Sequence, residues 1–386
     1  MSEGEVIKLH LESIASGGEA VGRYNGKTVF AEGGAPDEAV ICRIKAEHSA
    51  WIRAELLEIT SPSSVRTESL CRYYGRCGGC NLQHIDYNAQ IQIKVEILKE
   101  SFLRIGAIKS PEPAVFPSRP WEYRNRMQFH CLRQTAGGIF GLKGRGSGEI
   151  IVIDDCLVAA SGIRKILGSD PKTKPLSIPP EKDRFTVFSK DNVLLNEGGI
   201  TRGKISVLNK EITADAGVFF QSNCYMLEKL VCELIKTAET ADRNLPIADL
   251  YCGVGTFAAF LGELFPLSVL AEVNKTAVSI ARENVRGMNA EFFALRDTDW
   301  HKSIFNKNYD FGFAVIDPPR SGISSALAQT LARKGPPVLA YVSCDTSSLA
   351  RDSKILINGN YKLDKLMLFD FYPQTAHIES LAVFTR

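Results

Sequence analysis

Several features are missing from this 386-residue chain, and each absence excludes a class of protein. No apolar run approaches the roughly 20 residues that a membrane-spanning helix needs. There is no low-complexity tract and no clear internal repeat, and the composition is that of an ordinary globular protein, with 45% hydrophobic and 23% charged residues. Residues 1–5 are polar and acidic, unlike a secretory signal. We therefore expect a soluble, cytoplasmic protein with no membrane partner.

The chain also lacks a strong excess of charge, because its formal net charge is only +2. A total this close to zero neither requires nor excludes a nucleic-acid partner, since one face can still be basic. The chain is longer than one that folds around a single hydrophobic core, so two or three domains are expected. Ten cysteines without a secretory signal argue against a disulfide scaffold. Reduced thiols, metal ligands and a catalytic thiol remain as explanations.

Short alternating hydrophobic runs fill residues 1–60, with turn signals such as Asn25-Gly26 between them. This pattern predicts a small antiparallel barrel. Residues 17–23 and the following Val29-Phe30 strand resemble the TRAM domain, an OB-like RNA-binding barrel. The resemblance implies phosphate contacts, and the alternative is that the basic side chains only solvate the barrel. The basic side chains in question are Arg23, Arg43, Lys45 and Arg53.

Three cysteines, Cys71, Cys77 and Cys80, follow the spacing C-x5-C-x2-C. Three thiolates at this spacing suit an iron–sulfur cluster or a structural zinc ion, and ligand type alone does not separate the two metals. A fourth ligand must come from elsewhere, with Cys156 as the first candidate and Cys131 as the second. The spacing resembles the [4Fe–4S] site of the uracil-5 RNA methyltransferases, in which a distant fourth cysteine completes the set. That resemblance favours iron.

Residues 61–215 are predicted to form a central α+β domain around these cysteines. Apolar positions recur at helical spacing over residues 87–104, which predicts an amphipathic helix that could pack on the catalytic domain. Residues 121–129 interleave aromatic residues with arginines, as expected either for base stacking or for a strand with one core face. They resemble the Tyr-Arg-Asn-Lys motif of the same methyltransferases, with Arg126 in place of the usual lysine. Residues 169–180 are polar and proline-bearing, which predicts a surface loop.

Residues 216–386 follow the pattern of an α/β catalytic domain. A buried strand leads into a turn with Gly253 and Gly255, and such glycines let a ligand approach the backbone at a helix start. The next strand ends at Glu272, whose carboxylate can accept both ribose hydroxyls of an adenosine. A dinucleotide and S-adenosylmethionine both fit this arrangement. Asp249 at the end of the first strand favours S-adenosylmethionine, as in class I methyltransferases.

Two further predicted strands end in residues that carry chemistry. One leads into Asp317-Pro318-Pro319-Arg320, and two adjacent prolines make a stiff wall beside a flat ring. The other leads into Ser343-Cys344-Asp345, where a thiol at the carboxyl end of a strand is a candidate nucleophile. The alternative for Cys344 is a buried structural cysteine. We expect the Asp345 carboxylate to point away from the sulfur, because it would oppose formation of a thiolate.

Together with residues 370–380, these motifs resemble the RNA uracil-5 methyltransferases over nearly the whole chain and in the same order. The resemblance implies S-adenosylmethionine and a [4Fe–4S] cluster as cofactors, and a Rossmann-like class I methyltransferase fold for the last domain. It implies Cys344 as the nucleophile and Glu379 as the general base, with His377 as the competing base. The cofactor contacts that it implies are Gln221, Tyr251, Gly253, Gly255, Thr256, Glu272, Asp297 and Asp317.

The function expected from this resemblance is S-adenosylmethionine-dependent methylation of C5 of a uridine in RNA by a monomeric enzyme. We favour 23S rRNA as the substrate, with the tRNA T-loop as the alternative. A nucleotide-dependent iron–sulfur oxidoreductase and a non-catalytic RNA-binding protein are the competing functions. The sequence departs from the family at Thr346, where proline is usual, and at Thr256, where some relatives have asparagine.

Overall fold

The computed structural model describes residues 3–132, 139–169, 176, 181–305 and 309–386. Of the predicted loop 169–180, only residues 169 and 176 lie inside these ranges. All ten cysteines are described, and none of them forms a disulfide. Within the described ranges, no helix is both long enough and apolar enough to cross a membrane.

The N-terminal strands close into a barrel with the order β1-β2-β3-β5-β4, which confirms the predicted small barrel. The prediction that all of its strands are antiparallel is wrong, because β3 and β5 pair in parallel. The strands are β1 (Val6–Ile14), β2 (Ala20–Tyr24), β3 (Lys27–Glu32), β4 (Ala39–Glu47) and β5 (Trp51–Ser61). Side chains alternate between core and solvent, as the two-residue period of a strand requires, so that Ile7, Leu9 and Leu11 are buried. Asn25 and Gly26 both have positive φ in the turn between β2 and β3.

The segment from residue 62 to residue 86 carries the three-cysteine motif and leads into helix α1 (Tyr87–Ser101). The Asp86 side chain caps α1 by accepting hydrogen bonds from the first-turn N–H groups. One turn of π-helix follows over Phe102–Gly106, and then a short strand, β6 (Ala114–Phe116). Leu98 and Phe102 are fully buried in one hydrophobic cluster with Leu349 and Ala350 of the C-terminal domain. Helix α1 therefore packs on the C-terminal domain.

A five-stranded sheet with the order β11-β10-β7-β8-β9 forms the middle of the chain, with helix α2 beside it. The elements are β7 (Arg126–Cys131), β8 (Phe140–Lys143), β9 (Ile150–Ile151), α2 (Ser161–Leu167), β10 (Arg184–Lys190) and β11 (Val193–Asn196). Tyr123 and Phe129 are buried in the protein interior. Both aromatic side chains therefore belong to the core and are not available for base stacking, although only Phe129 lies in a strand and Tyr123 precedes β7.

The remaining elements form a hairpin and the C-terminal α/β domain. They are β12 (Arg202–Val207), β13 (Lys210–Asp215), α3 (Cys224–Ala238), β14 (Ile247–Leu250), α4 (Thr256–Leu261), β15 (Ser268–Ala271), α5 (Lys275–Asn284), β16 (Ala290–Phe293), α6 (Asp297–Ser303), β17 (Phe313–Ile316), α7 (Ser325–Lys334), β18 (Val338–Ser343), α8 (Thr346–Asn358), β19 (Lys362–Phe369) and β20 (Glu379–Thr385). A single 3-10 turn, Gly262–Leu264, follows α4.

The main sheet has the order β16-β15-β14-β17-β18-β20-β19-β6. Strands β14 to β18 run parallel, and β20 pairs antiparallel with β18. The strand order reverses at β14, which has β15 on one side and β17 on the other. Such a reversal opens a crevice at the carboxyl ends of the strands, where open α/β sheets bind their ligands. The fold therefore places the predicted cofactor turn and the Asp317 motif at this crevice.

The predicted boundary after residue 215 does not separate the central and C-terminal units. Strand β6 pairs in parallel with β19, and the rings of Phe116 and Phe369 stack at 4.5 Å. The β12–β13 hairpin contributes Ile205, Val207 and Ile212 to the same hydrophobic cluster as α3, α4 and α5. These apolar side chains need a partner surface, and the C-terminal domain supplies it.

A fully buried ion pair joins α1 to the segment that precedes β20. Lys94 Nζ lies 2.6 Å from Asp370 Oδ1, and neither side chain is exposed. The Lys94 ammonium also donates to the Tyr372 carbonyl at 3.0 Å, and the Tyr87 hydroxyl donates to Asp370 Oδ2 at 2.8 Å. Burial lowers the pKa of Lys94, and the Asp370 carboxylate acts against this shift. Each charge is therefore tolerated in the interior only because the other is present.

We predict that Lys94→Met destabilises the protein by about 3–5 kcal/mol, because it leaves the Asp370 carboxylate buried without a counter-charge. The measurement is the urea midpoint of unfolding. Removal of both charges in Lys94→Met/Asp370→Leu is expected to recover much of this loss. On the same helix, Lys99→Met breaks only exposed pairs, with Glu96 and Glu112, so it serves as the matched control with a loss below about 1 kcal/mol. Equal midpoints for Lys94→Met and Lys99→Met would contradict the prediction.

Candidate active site

A cavity of about 560 Å³ opens at the carboxyl ends of the central strands of the main sheet. It is lined by eight of the ten residues predicted as catalytic or cofactor-binding. These are Gln221, Tyr251, Gly253, Thr256, Glu272, Asp317, Cys344 and Glu379. The fold thus gathers residues from widely separated parts of the sequence at the one point where the strand order reverses.

The turn after β14 depends on its glycines. Gly253 and Gly255 have φ values of +53° and +76°. A Cβ on Gly255 would lie only 3.0 Å from the Ala281 Cβ of α5, so the glycine allows α4 and α5 to pack closely. The space beside Gly253 is open, and this residue lines the cavity. A ligand can therefore approach the backbone there.

Two predicted residues, Gly255 and Asp297, lie outside the lining of the cavity. Asp297 Oδ2 accepts hydrogen bonds from the Tyr251 hydroxyl at 2.8 Å and from the Ser324 N–H at 3.0 Å. Asp297 is therefore placed behind Tyr251, and it reaches the cavity only through the tyrosine ring.

The carboxylate of Glu272 holds the cofactor turn in place. It accepts hydrogen bonds from the N–H groups of Gly253 at 3.2 Å and of Asn274 at 2.7 Å. Below the turn, buried Asp249 accepts from the Ala258 N–H at 2.9 Å, and burial raises its pKa to about 7. The other oxygen of Asp249 has no hydrogen-bond partner in the described part of the chain.

Cys344 directly follows β18, and Glu379 begins β20, the strand that pairs antiparallel with β18. The last pair of this register is Ser343 with Ser380, so both residues lie at the same end of the two strands. Both of them line the cavity. The Asp345 side chain accepts from the Ser348 N–H at 2.7 Å and so caps α8, which confirms that it is directed away from the sulfur.

Three acidic groups influence one another in the cavity. Burial raises the pKa of Cys344 to about 12, with further contributions from Glu379 and Asp317. Burial and the neighbouring Asp317 raise the pKa of Glu379 well above its usual range, and burial raises the pKa of Asp317 to about 7. Arg320 lowers the pKa of both Cys344 and Glu379. A positive charge bound in the cavity would favour the ionised form of all three groups.

His377, the competing base, also lines the cavity. Burial and the nearby Arg320 and Arg124 lower its pKa to about 4. Its ring packs edge-on against Tyr372 with 5.7 Å between the centroids. The imidazole is therefore neutral near pH 7, and it remains a possible proton acceptor beside Glu379.

The segment that leads to Glu379 is held by residues from far earlier in the chain. The Tyr123 hydroxyl donates to the Pro373 carbonyl at 2.8 Å, and the Gln374 N–H donates to Gln90 Oε1 at 2.9 Å. Asn81 accepts from the Ala376 N–H at 2.9 Å and donates to the Gly17 carbonyl of the barrel at 2.8 Å. No sequence pattern marked Asn81 or Gln90, because their partners lie hundreds of residues away.

The departure at Thr346 also has a structural partner. The hydroxyl groups of Thr346 and Ser101 lie 2.8 Å apart, within hydrogen-bond distance, at the contact between α8 and α1. Thr346 is buried and begins α8, where proline would also be tolerated. The threonine therefore adds a bond between helices, and the turn beside Cys344 stays intact.

A second pocket is lined by Cys71, Cys77, Cys80 and Cys156, whereas Cys131 does not line it. Burial raises the pKa of Cys80 to about 12 and that of Cys156 to about 11. Among the described residues, no three His, Cys, Asp or Glu side chains are arranged to hold a single metal ion. The pocket thus collects four thiols, the donor set of a zinc site or of a [4Fe–4S] cluster, without bringing them to one point.

Comparisons with known proteins agree with this geometry. Residues 189–386 match the family model described as tRNA (uracil-5-)-methyltransferase. An uncharacterized RNA methyltransferase of Treponema denticola is 31% identical to this chain, over 94% of each. The 23S rRNA (uracil(1939)-C(5))-methyltransferase RlmD of Pseudomonas fluorescens is 27% identical, over 99% of this chain and 92% of its own.

A solved structure shares the whole architecture. The tRNA (uracil-54, C5)-methyltransferase of Pyrococcus abyssi, in complex with S-adenosyl-L-homocysteine, superposes with a TM-score of 0.73 at 22% identity. The match covers 98% of this chain and 100% of that one, so it establishes the fold of an S-adenosylmethionine-dependent methyltransferase. The chain belongs to the tRNA (uracil-5-)-methyltransferase family, and the protein is an RNA (uracil-5-)-methyltransferase.

Proposed function

We propose that the protein methylates C5 of a specific uridine in RNA, with S-adenosylmethionine as methyl donor, Cys344 as nucleophile and Glu379 as general base. The observation that carries this proposal is that Cys344, directly after β18, and Glu379, at the start of β20, line one cavity together with Asp317 and Arg320. A uridine stacked in a helix cannot reach this cavity, so the target base has to be extruded from its stack.

The reaction needs a thiolate, because C5 of uracil is too weak a nucleophile to take a methyl group unaided. The Cys344 proton passes to Asp317, a carboxylate that interacts with the thiol, so that Glu379 stays available as the base in the second half of the reaction. The thiolate then bonds to C6, and the electrons of the C5–C6 double bond move to form an enolate. Electron density returns to C5, which takes the methyl group while the sulfonium sulfur keeps the electron pair of the broken bond.

The second half of the reaction restores the base. Glu379 removes the proton from C5, and the electrons of that C–H bond re-form the double bond between C5 and C6. The Cys344 thiolate leaves from C6 in the same step. The products are a 5-methyluridine, S-adenosylhomocysteine and one proton, and Cys344 is regenerated.

The methyl donor fits the residues beside β14. Gly253 leaves open space next to its backbone, and Glu272 presents a carboxylate in the cavity that can accept ribose hydroxyl groups. The acidic lining contributed by Glu272, Asp317 and Glu379 favours a cationic ligand. Tyr251, with Asp297 behind it, closes one side of this part of the cavity. We assign Gln221 and Thr256 to the same site.

We propose 23S rRNA as the substrate. The support is the named relative in Pseudomonas fluorescens, which matches over nearly the full length of both chains. A tRNA T-loop uridine is the alternative. Mapping of 5-methyluridine in rRNA and tRNA from a strain without this protein decides between them, because only the true substrate loses the modification. Addition of the purified protein should restore that site in vitro.

We further propose a [4Fe–4S] cluster held by Cys71, Cys77, Cys80 and Cys156. The four thiols around one pocket supply its donor set, and soft thiolates suit iron–sulfur chemistry. The test is iron and acid-labile sulfide in protein purified without oxygen. Cys156→Ala is expected to lower both, and Cys131→Ala, outside the pocket, is the matched control. Zinc without sulfide would exclude the cluster.

Family membership excludes the two competing functions, an iron–sulfur oxidoreductase and a non-catalytic RNA-binding protein. We propose that the enzyme acts as a monomer in the cytoplasm, where its RNA substrate is made. Size-exclusion chromatography coupled to light scattering tests the monomer.

We predict that Cys344→Ala abolishes methylation without loss of S-adenosylmethionine binding, because the thiol reacts only with the uracil. Methyl transfer to RNA and calorimetric binding of the cofactor measure the two properties separately. Turnover by Cys344→Ala would refute the nucleophile assignment.

For the general base, we predict that Glu379→Gln accumulates a covalent RNA–protein adduct, because C6 addition and methyl transfer proceed while elimination does not. The adduct is measured as a band of reduced mobility on a denaturing gel. Cys344→Ala/Glu379→Gln is the control and forms no adduct. If His377→Asn traps the adduct and Glu379→Gln does not, the base is His377.

The pH dependence of the reaction depends on Arg320. Because Arg320 lowers the pKa of both Cys344 and Glu379, its removal raises both pKa values and decreases the ionised fractions at a given pH. We predict that Arg320→Gln moves the rising limb of kcat/KM to higher pH, with a loss of about tenfold below the limb for each pH unit moved. Arg320→Lys keeps the positive charge and is expected to stay near the wild-type profile. Superimposable profiles for Arg320→Gln and wild type would exclude this role.

A further inference from the structure

We infer that the RNA backbone docks mainly on the central domain, along a basic track formed by Arg76, Lys143, Arg145, Arg124 and Arg126, and that the barrel adds little phosphate binding. The inference rests on the proposed function only in taking RNA as the substrate. It differs from what the TRAM resemblance of the barrel predicts.

The charge of the chain is unevenly distributed over its three parts. Residues 1–60 carry ten acidic and six basic side chains, a formal charge of −4. Residues 61–215 carry 23 basic and 16 acidic side chains, a formal charge of +7. Residues 216–386 have 17 basic and 18 acidic side chains and are close to neutral. The small net charge of the whole chain therefore conceals a basic central part.

Four of the six basic residues of the barrel pair with its own carboxylates, whereas Lys8 and Arg23 form no ion pair within the described ranges. Arg43 and Lys45 both pair with Glu55, at 3.2 and 2.9 Å. Arg53 lies 3.9 Å from Glu19, and Lys27 pairs with Glu47 at 2.7 Å. A phosphate that bound here would approach these carboxylates as well as the cations, so the barrel is a poor phosphate surface.

The outer end of the track is the β8–β9 hairpin, which packs on the loop that carries Cys77 and Cys80. The Gly78 N–H donates to the Lys143 carbonyl at 2.9 Å, and the Arg145 N–H donates to the Arg76 carbonyl at 2.8 Å. These bonds bring three cationic residues together. None of the three forms an ion pair with a carboxylate in the described part of the chain. The Arg145 guanidinium donates instead to the Cys80 carbonyl, which leaves its charge uncompensated.

A groove of about 310 Å³ separates this hairpin from the barrel. Lys143 and Arg145 lie on its central-domain wall, and Glu19 and Glu32 lie on its barrel wall. Phosphate groups are attracted to the first wall and repelled by the second. Carboxylates on the barrel wall can still accept hydrogen bonds from ribose 2′-hydroxyl groups, which DNA lacks. The groove is therefore suited to a single RNA strand with its phosphates towards the central domain.

The inner end of the track reaches the catalytic cavity. Arg124 lines the cysteine pocket and also acts electrostatically on Tyr372 and His377, which line the cavity. Arg126 lies over the ring of Phe219, 5.9 Å from its centroid, and its Nε is buried without a hydrogen-bond partner in the described structure. Glu197 offsets part of the charge of Arg126, but a largely buried guanidinium with an unpaired N–H is still costly, and a bound phosphate would relieve that cost. The track thus connects the groove to the cavity.

The test compares two double variants with the same change in charge. Arg76→Gln/Lys143→Gln removes two exposed cations of the track, and Arg43→Gln/Lys45→Gln removes two from the barrel. Affinity for a single-stranded RNA of about 20 nucleotides is measured by fluorescence anisotropy at several salt concentrations, with S-adenosylhomocysteine present. The track variant is expected to bind more weakly, with the slope of log K against log[salt] reduced by about 1.4, since each lost phosphate contact lowers it by about 0.7. The barrel variant is expected to keep the wild-type slope.

Each outcome has a distinct meaning. A track variant with the wild-type slope, or a barrel variant that loses as much slope as the track variant, overturns the inference. Methylation of RNA by the wild-type protein is measured in parallel. If the wild type methylates RNA while the track variant binds like wild type, only the inference fails. If the wild type neither methylates nor binds RNA, the proposed function fails first.

Discussion

The arrangement of the active site depends on one buried ion pair, between Lys94 and Asp370. Cys344 follows a strand in the middle of the main sheet, where neighbouring strands fix its position. Glu379 follows a stretch of irregular chain, so its position has to be fixed in another way. The ion pair fastens the beginning of that stretch to α1, and the hydrogen bonds of Tyr123, Gln90 and Asn81 fasten the rest. The relative position of the proposed nucleophile and the proposed base thus depends on charge pairing in the interior.

Burial of the cavity residues also disfavours negative charge on their side chains. Burial raises the pKa of both Cys344 and Glu379 and so favours their protonated forms, and the positive charge of Arg320 acts against this shift. A thiol is far less reactive than a thiolate towards electrophiles of the cell. If Cys344 is the nucleophile, as proposed, its thiol is less reactive in the absence of a cationic ligand and becomes easier to ionise when such a ligand binds.

Local patterns in the sequence were sufficient to predict the barrel, the glycine turn, the Asp-Pro-Pro-Arg strand end and the cysteine motif, because each of these features depends on residues that are close together in the chain. Most of the predicted cavity residues follow from those elements. The position of Asp297 behind Tyr251 could not be predicted, since it depends on how α6 packs. The same holds for β6, which pairs with a strand some 250 residues later. The alternatives for Tyr123 were open in the sequence because only burial distinguishes them.

The left-handed backbone of Gln374, with φ of +67°, shows how firmly the catalytic segment is constrained, since a non-glycine residue keeps that conformation only where its surroundings impose it. Those surroundings are Gln90, Asn81 and Leu82, all of which precede the half of the chain that matches the family model. We therefore do not expect the matched half to function as an enzyme by itself. Residues from outside its boundaries hold the segment that leads to Glu379, so a fragment confined to that half would contain the proposed nucleophile without the contacts that position the proposed base.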